Sequence, residues 1–486
     1  MSELDRLVNA CLMPGFTGTT VPGWVHEGLD GGLAGVCLYG QNLAGAADPD
    51  RVPALSGAVR GARPDALVAL DEEGGDVTRL EYRTGSSQPG NLALGVLDDV
   101  EVTAAAAAAI GGALREAGVT VDLAPSVDVN SDSRNPVIGV RSFGGDPDLV
   151  SRHGAAWIRG LQSTGVAATA KHFPGHGATT VDSHLGLPVI DADEDTFRSR
   201  DLPPFAAAVA AGVRLVMTSH VVFTALDPQP ATLSRRLLGD LLRGELGFTG
   251  VVVTDALDMA GVRAAHGIPG AAALSLAAGA DLLLVGAEDG EQHCAAIRAA
   301  VADHVRAGLL PEARLHEAAE RVADLRRELS ARSAWDPVPV ASDVGSRSAR
   351  GALRLRSVLP LAGPALVVEL RGETNMAVGD ARWSLAEPLG ELGRLHELVT
   401  VTAAGPPADD VLARAGTRPV VVAVRDAYRT PWQERWLRRA VERRPDTVTV
   451  ALGMPDDLGL VNGPAVATHG ASRACTRAAA EALSGR

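Results

Sequence analysis

Across its first two-thirds the chain repeats one rhythm, in which short β-branched runs alternate with longer alanine-rich stretches. Candidate strands fall at residues 10–13, 35–39, 66–70, 119–123, 167–170, 215–218, 251–254 and 281–285, with candidate helices such as 102–117, 149–163, 202–211 and 236–246 between them. Strands joined by crossover helices are parallel and must be covered on their outer face, so this pattern belongs to βα units around a parallel sheet. Eight such units over about 330 residues predict an α/β fold with a (β/α)8 TIM-like barrel, and a doubly wound open sheet is the alternative.

A barrel carries its chemistry where its strands end, at the carboxyl face, and that can be checked in the sequence itself. Asp71-Glu72-Glu73-Gly74-Gly75 follows the third candidate strand, and Asp122 ends the fourth, with Asp128, Asn130 and Arg141 beyond it. Lys171-His172 follows the fifth, Ser219-His220 the sixth, and Asp255 ends the run Val251-Val252-Val253-Thr254. Any one of these could be a helix cap or a salt bridge at the barrel mouth. Five successive strand ends that all deliver polar groups point to a site instead.

Near residue 331 the rhythm stops. A stretch poor in apolar residues, 331–346, with Pro337, Pro339 and three serines, reads as a linker, taken to span 331–355. The β/α pattern then restarts at 366–369, 398–402, 420–424 and 448–452, with helices at 432–443 and 473–483, which predicts an αβα sandwich over 356–486 behind a barrel domain of 1–330. Within it Asp426, His469 and the arginine-rich helix 435–444 read as caps and solvated faces.

Composition removes several function classes. The formal charge is −14, which repels phosphate backbones and anionic lipid heads, so neither nucleic acid nor a membrane surface is an expected partner. No apolar run reaches the roughly 18 residues that span a bilayer, and the acidic start Met1-Ser2-Glu3-Leu4-Asp5 is unlike a secretory leader. The four cysteines are scattered with no CxxC pair, as expected of buried thiols in a cytoplasmic protein.

Of the forty-five basic residues one alone, Lys171, is lysine. A retained ammonium in an arginine chain suits a place that wants a compact point charge with rotatable donors. It sits in Lys171-His172-Phe173-Pro174-Gly175-His176-Gly177, and Asp182-Ser183-His184 follows five residues later. The His172 and His176 spacing would place two metal ligands on one face only in a helix, which Phe173-Pro174-Gly175 forbids, so no metal and no cofactor is expected. The glycines lack the arrangement of a phosphate loop. General acid–base chemistry fits better: Asp182 can hold one imidazole nitrogen of His184 and aim the other at a substrate, while Asp255 is the carboxylate best placed for covalent catalysis.

These residues resemble a known family. Asp71-x-Glu73-Gly74-Gly75-x3-Arg79, Asn135-Pro136-Val137-Ile138-Gly139-x-Arg141-Ser142-Phe143, the Lys171 to His184 block and Val253-Thr254-Asp255-Ala256-Leu257 are similar to motifs of glycoside hydrolase family 3. In particular they resemble its β-N-acetylglucosaminidase branch, in which an Asp-x-His dyad replaces the usual glutamic acid. The resemblance spans about the first 330 residues, and the C-terminal part is similar to the αβα sandwich of two-domain members. It implies Asp255 as nucleophile, His184 as acid/base and Asp182 as its orienting partner, with Asp71, Arg79, Arg141, Lys171 and His172 holding the sugar. It implies a retaining exo-β-N-acetylglucosaminidase acting on a small carbohydrate, as a monomer or weak homo-oligomer. A phosphorylase on the same scaffold and an inactive sugar-binding protein are the rival readings. His176 and His220 read as packing groups around the motif. One local departure is Asp76, where many relatives carry a basic residue; it bears on recognition beyond the first sugar rather than on catalysis.

Overall fold

The computed structural model describes residues 2–43, 50–179, 186–331, 342–372, 378–379 and 383–486. Eight strands lie where the rhythm places them: β1 (Leu12–Pro14), β2 (Gly35–Cys37), β3 (Leu67–Leu70), β4 (Val121–Asp122), β5 (Ala167–Phe173), β6 (Leu215–Thr218), β7 (Val251–Val253) and β8 (Leu283–Val285). Strands β2 to β7 pair in chain order, all parallel. A parallel bridge from Val253 to Leu282 leads on to β8, and β8 pairs with β1. The Ala34 N–H then bonds the Leu12 carbonyl at 3.1 Å, which brings the sheet back to β2. The ring is closed, so the fold is the barrel rather than the open sheet.

Alternation along the strands explains the core. Leu67 and Ala69 of β3, Leu215 and Met217 of β6, and Val251 and Val253 of β7 point the same way and meet residues from the other five strands in one buried cluster. Val322, Leu325 and Leu329 of the helix Glu312–Ala331 join that cluster. All four cysteines are buried free thiols, as expected. Among the described residues no helix is long and apolar enough to cross a membrane.

The chain divides into two compact units, and the division does not follow one cut. The first comprises Met1–Glu72, Thr103–Ile138 and Gly145–Ala341; the second comprises Glu73–Val102, Gly139–Gly144 and Ser342–Arg486. The second unit holds a six-stranded sheet of β9 (Arg354–Arg356), β10 (Ala365–Leu370), β11 (Leu395–Val401), β12 (Val420–Val424), β13 (Val448–Ala451) and β14 (Ala465–Ala467), in the order β9-β14-β13-β12-β10-β11. Only β9 runs antiparallel, against β14. Ala365 and Val367 of β10 pack on one face with Trp383 and Leu483, while Leu366, Val368 and Leu370 pack on the other with Trp436 and Leu437. Two buried faces make this the expected αβα sandwich. Of the linker expected at 331–355, residues 332–341 lie outside the described ones, and Val344–Ala352 is a helix.

Candidate active site

In the first unit the site grows from a departure in β5. Its register against β6 shifts between Ala170 and Phe173, so Lys171 and His172 leave the ladder at its carboxyl end. Their backbone is taken up by the segment that follows β4: the Lys171 N–H donates to the Pro125 carbonyl at 3.1 Å, and the Val127 N–H to the Lys171 carbonyl at 2.8 Å. The ammonium of Lys171, with its side chain only 2% exposed, donates to Asp71 Oδ1 at 2.8 Å. A buried ammonium is tolerated only with such a partner.

Asp71 is pinned on both sides. The Leu123 N–H bonds the Leu70 carbonyl at 2.9 Å, and the Glu72 N–H donates to Asp122 Oδ1 at 2.9 Å. Asp122 is fully buried, and Oδ2 of its carboxyl has no hydrogen-bond partner among the described residues. Burial pushes this carboxyl well above the usual carboxylate range, the Glu72 amide and Lys171 oppose that, and the charges of Glu72 and Asp71 add to it.

A second buried carboxylate organises the histidines. Asp128 Oδ1 accepts the N–H groups of His176 at 2.7 Å and His172 at 3.2 Å. Its Oδ2 accepts from Ser126 Oγ at 3.0 Å and from His172 Nδ1 at 2.7 Å. Burial alone would raise Asp128, but the charge and hydrogen bond of His172, followed by those of His176, hold it below the ordinary range. An ionised carboxylate only accepts, so Nδ1 of His172 carries a proton and Nε2 is the nitrogen turned to other partners. His176 packs edge-on to His172 with ring centres 5.8 Å apart, and its Nδ1 lies 2.9 Å from Thr179 Oγ1. Burial and the neighbouring His172 push it down to about 4, so it is neutral near pH 7 and serves as a packed partner rather than an acid. Asp255 is close enough for its charge to act on that ring.

Asp255 follows β7 half-buried, and its Oδ1 accepts the N–H of Ala256 at 2.8 Å. His220 steadies the same turn, with Nε2 donating to the Ala256 carbonyl at 3.0 Å and Nδ1 2.9 Å from Thr232 Oγ1. Asp71, Lys171, His172 and Asp255 are thus all found at strand ends on the barrel's carboxyl face. Asp182 and His184 lie outside the described residues.

Arg79 and Arg141 belong to the second unit. Arg141 is held in a two-pronged pair by Glu73, NH2 to Oε1 at 2.7 Å and Nε to Oε2 at 3.0 Å, both side chains nearly buried. The fork geometry of guanidinium and carboxylate fixes the plane of the arginine as well as its position. Asn91 Nδ2 adds a bond to the Arg141 carbonyl at 2.7 Å. Arg79 is buried, with its guanidinium 5.9 Å from the Tyr82 ring centre. Glu73, Asp122 and Asp128 are the residues whose part sequence reasoning left unassigned. Their position at strand ends was the available signal.

A (β/α)8 barrel with a buried ion pair, a carboxylate-held histidine and a further carboxylate at its carboxyl face has the layout of a barrel enzyme. Residues 29–325 match the model of the glycosyl hydrolase family 3 N terminal domain, and the chain belongs to that family. It is 35% identical over 379 residues to a β-hexosaminidase A of Pseudoalteromonas piscicida, covering 72% of this chain and 61% of that one. It therefore spans about three-fifths of that relative's length. It is 38% identical over 283 residues to a β-hexosaminidase of Stenotrophomonas maltophilia, covering 56% of this chain and 82% of the relative. The solved structure of a glycoside hydrolase family 3 β-N-acetylglucosaminidase from Paenibacillus sp. superposes with a TM-score of 0.90 at 32% identity, over 100% of this chain and 97% of that one.

Proposed function

We propose that this protein is a retaining exo-β-N-acetylglucosaminidase that removes terminal β-linked N-acetylglucosamine from a small carbohydrate by double displacement. The observation that carries the reading is the cluster at the barrel's carboxyl face, Asp71 with Lys171 and Asp128 with His172, beside the carboxylate of Asp255. Support comes from relatives with the activity in their names, one of them alike over the whole chain.

In this reading Lys171, Asp71 and His172 bind sugar hydroxyls, with Arg79 and Arg141 as further binding groups. Asp255 attacks the anomeric carbon as the bond to the leaving oxygen breaks, and that oxygen takes a proton from His184, which Asp182 orients. The product is a glycosyl ester on Asp255. His184, now neutral, takes a proton from water; the water oxygen attacks the same carbon and frees the carboxylate, so two inversions give net retention. Fixed donors that tighten as charge develops on the ring supply transition-state stabilisation without reorganisation.

Trapping with a 5-fluoro sugar and mapping the labelled peptide by mass spectrometry tests the nucleophile: the label belongs on Asp255, and a label elsewhere sinks the assignment. Asp255→Asn should lower kcat by about three orders of magnitude or more while substrate binding persists.

A further inference from the structure

We infer that Asp76 and Arg425 form a positioning pair through which the C-terminal part of the chain sets Arg141 for substrate. The pair lies within the second unit, which joins the segments Glu73–Val102 and Gly139–Gly144 to the C-terminal residues. Asp76 Oδ2 is 2.6 Å from Arg425 NH2, with the aspartate side chain 1% and the arginine side chain 18% exposed. Asp76 Oδ1 accepts the N–H of Ala471 at 2.6 Å. One carboxylate therefore grips two places in the C-terminal part, the carboxyl end of β12 and the turn before the helix Arg473–Ser484.

Further ties hold the same loop. Arg473 pairs with Glu81 and donates to the Gly85 carbonyl at 3.2 Å, and the Ala474 N–H donates to the Ser86 carbonyl at 3.2 Å. Within the loop the chain crosses itself closely: Gly75 donates to the Gln88 carbonyl at 3.1 Å, and a Cβ on Gly75 would lie 2.4 Å from the Gly90 Cα. The two residues that grip Arg141, Glu73 and Asn91, flank this crossing. The sequence of causes is then explicit. Arg425 and Ala471 fix Asp76, Asp76 fixes the folded loop, and the loop presents Glu73 and Asn91 to Arg141.

A buried carboxylate that loses its arginine is left uncompensated, and the loop must rearrange to rehydrate it. The defect expected is in the placement of a binding arginine, so it falls on KM. This inference rests on the proposal that Arg141 holds substrate, and the experiment separates the two. Kinetics on a chromogenic N-acetylglucosaminide are measured for Asp76→Ala, Arg425→Ala, their double variant and Arg141→Ala, with Asp76→Asn as a milder change that keeps an acceptor for the Ala471 N–H. The expected result is a KM raised about tenfold in each single alanine variant with kcat within about twofold, and a double variant no worse than either single, as for two residues in one interaction. Asp76→Asn should fall between wild type and Asp76→Ala. If Arg141→Ala raises KM while Asp76→Ala and Asp76→Asn leave it unchanged, the positioning pair is refuted and the binding role of Arg141 stands. An unchanged KM in Arg141→Ala overturns both.

Discussion

Lys171 occupies a slot in which its ammonium is 2% exposed and bonded to Asp71, while the surrounding backbone is held by Pro125 and Val127. A guanidinium is planar, longer and needs room for five donors, so it does not fit where one compact charge does. Lys171→Arg should lower kcat/KM by at least about tenfold, or more than about 1.4 kcal/mol of transition-state stabilisation; near-normal kinetics in that variant would return the lysine to drift. Lys171, His172, Asp71 and Asp255 were legible in the sequence because strand ends in a barrel are where polar groups converge. The parts of Asp122, Asp128 and Glu73 were not. Each acts through a partner 44 to 68 residues away, the Glu72 amide, the His172 ring and the Arg141 guanidinium, and so distant a pairing leaves no local pattern.

At the level of elements the eight barrel strands were readable because each is an apolar run bounded by turns; their edges moved by at most two residues except in β5, which runs three residues further, to Phe173. In the second unit, two strands escaped. Ala465–Ala467 is three residues long, and Arg354–Arg356 is mostly exposed and lies where composition suggested a linker. The alanine run 104–109 favours a helix by propensity alone, and the structure gives it a second use. It lies in the helix Val100–Glu116, where Ala106 and Ala107 are buried and the carbonyl of Ala104 meets Gly160 of the helix Pro147–Gln162. A Cβ on Gly160 would stand 2.1 Å from that carbonyl oxygen, which is backbone and cannot swing aside. Gly160→Ala, favourable for an isolated helix, should therefore destabilise the protein by about 1–3 kcal/mol, read as a lowered melting temperature. A melting temperature equal to or above wild type would show that the two helices can part at no cost.

For the whole molecule, buried titratable groups set the pH range of stability. His176, held at about 4 against an ordinary value of about 6.5, contributes stability that is present above about pH 6.5 and lost as pH falls toward 4, because the unfolded chain binds a proton that the native one refuses. His469 of the second unit, also pushed down to about 4 by burial, acts in the same sense. Asp457 acts oppositely. It is fully buried, Oδ1 of its carboxyl accepts the Tyr428 N–H at 2.9 Å, and burial raises it to about 7, so its contribution is present below about pH 4 and lost as pH rises through 7. Asp457→Asn keeps an acceptor and removes the charge. Its melting temperature should exceed that of wild type at pH 8 by a few degrees and converge with it near pH 4; a variant less stable at pH 8 contradicts this account. What no reading of the sequence could reveal is that two loops of the barrel region fold with the C-terminal residues, since the bonds concerned join positions as far apart as Asp76 and Ala471, 395 residues along the chain. That separation is also an interval of time. At about 5–20 residues per second, the loop leaves the ribosome roughly 20–80 s before its last partner is made. For that interval Asp76 and Glu81 carry their charge in water, because Arg425 and Arg473 are still to be made, whereas Glu73 meets Arg141 only 68 residues on.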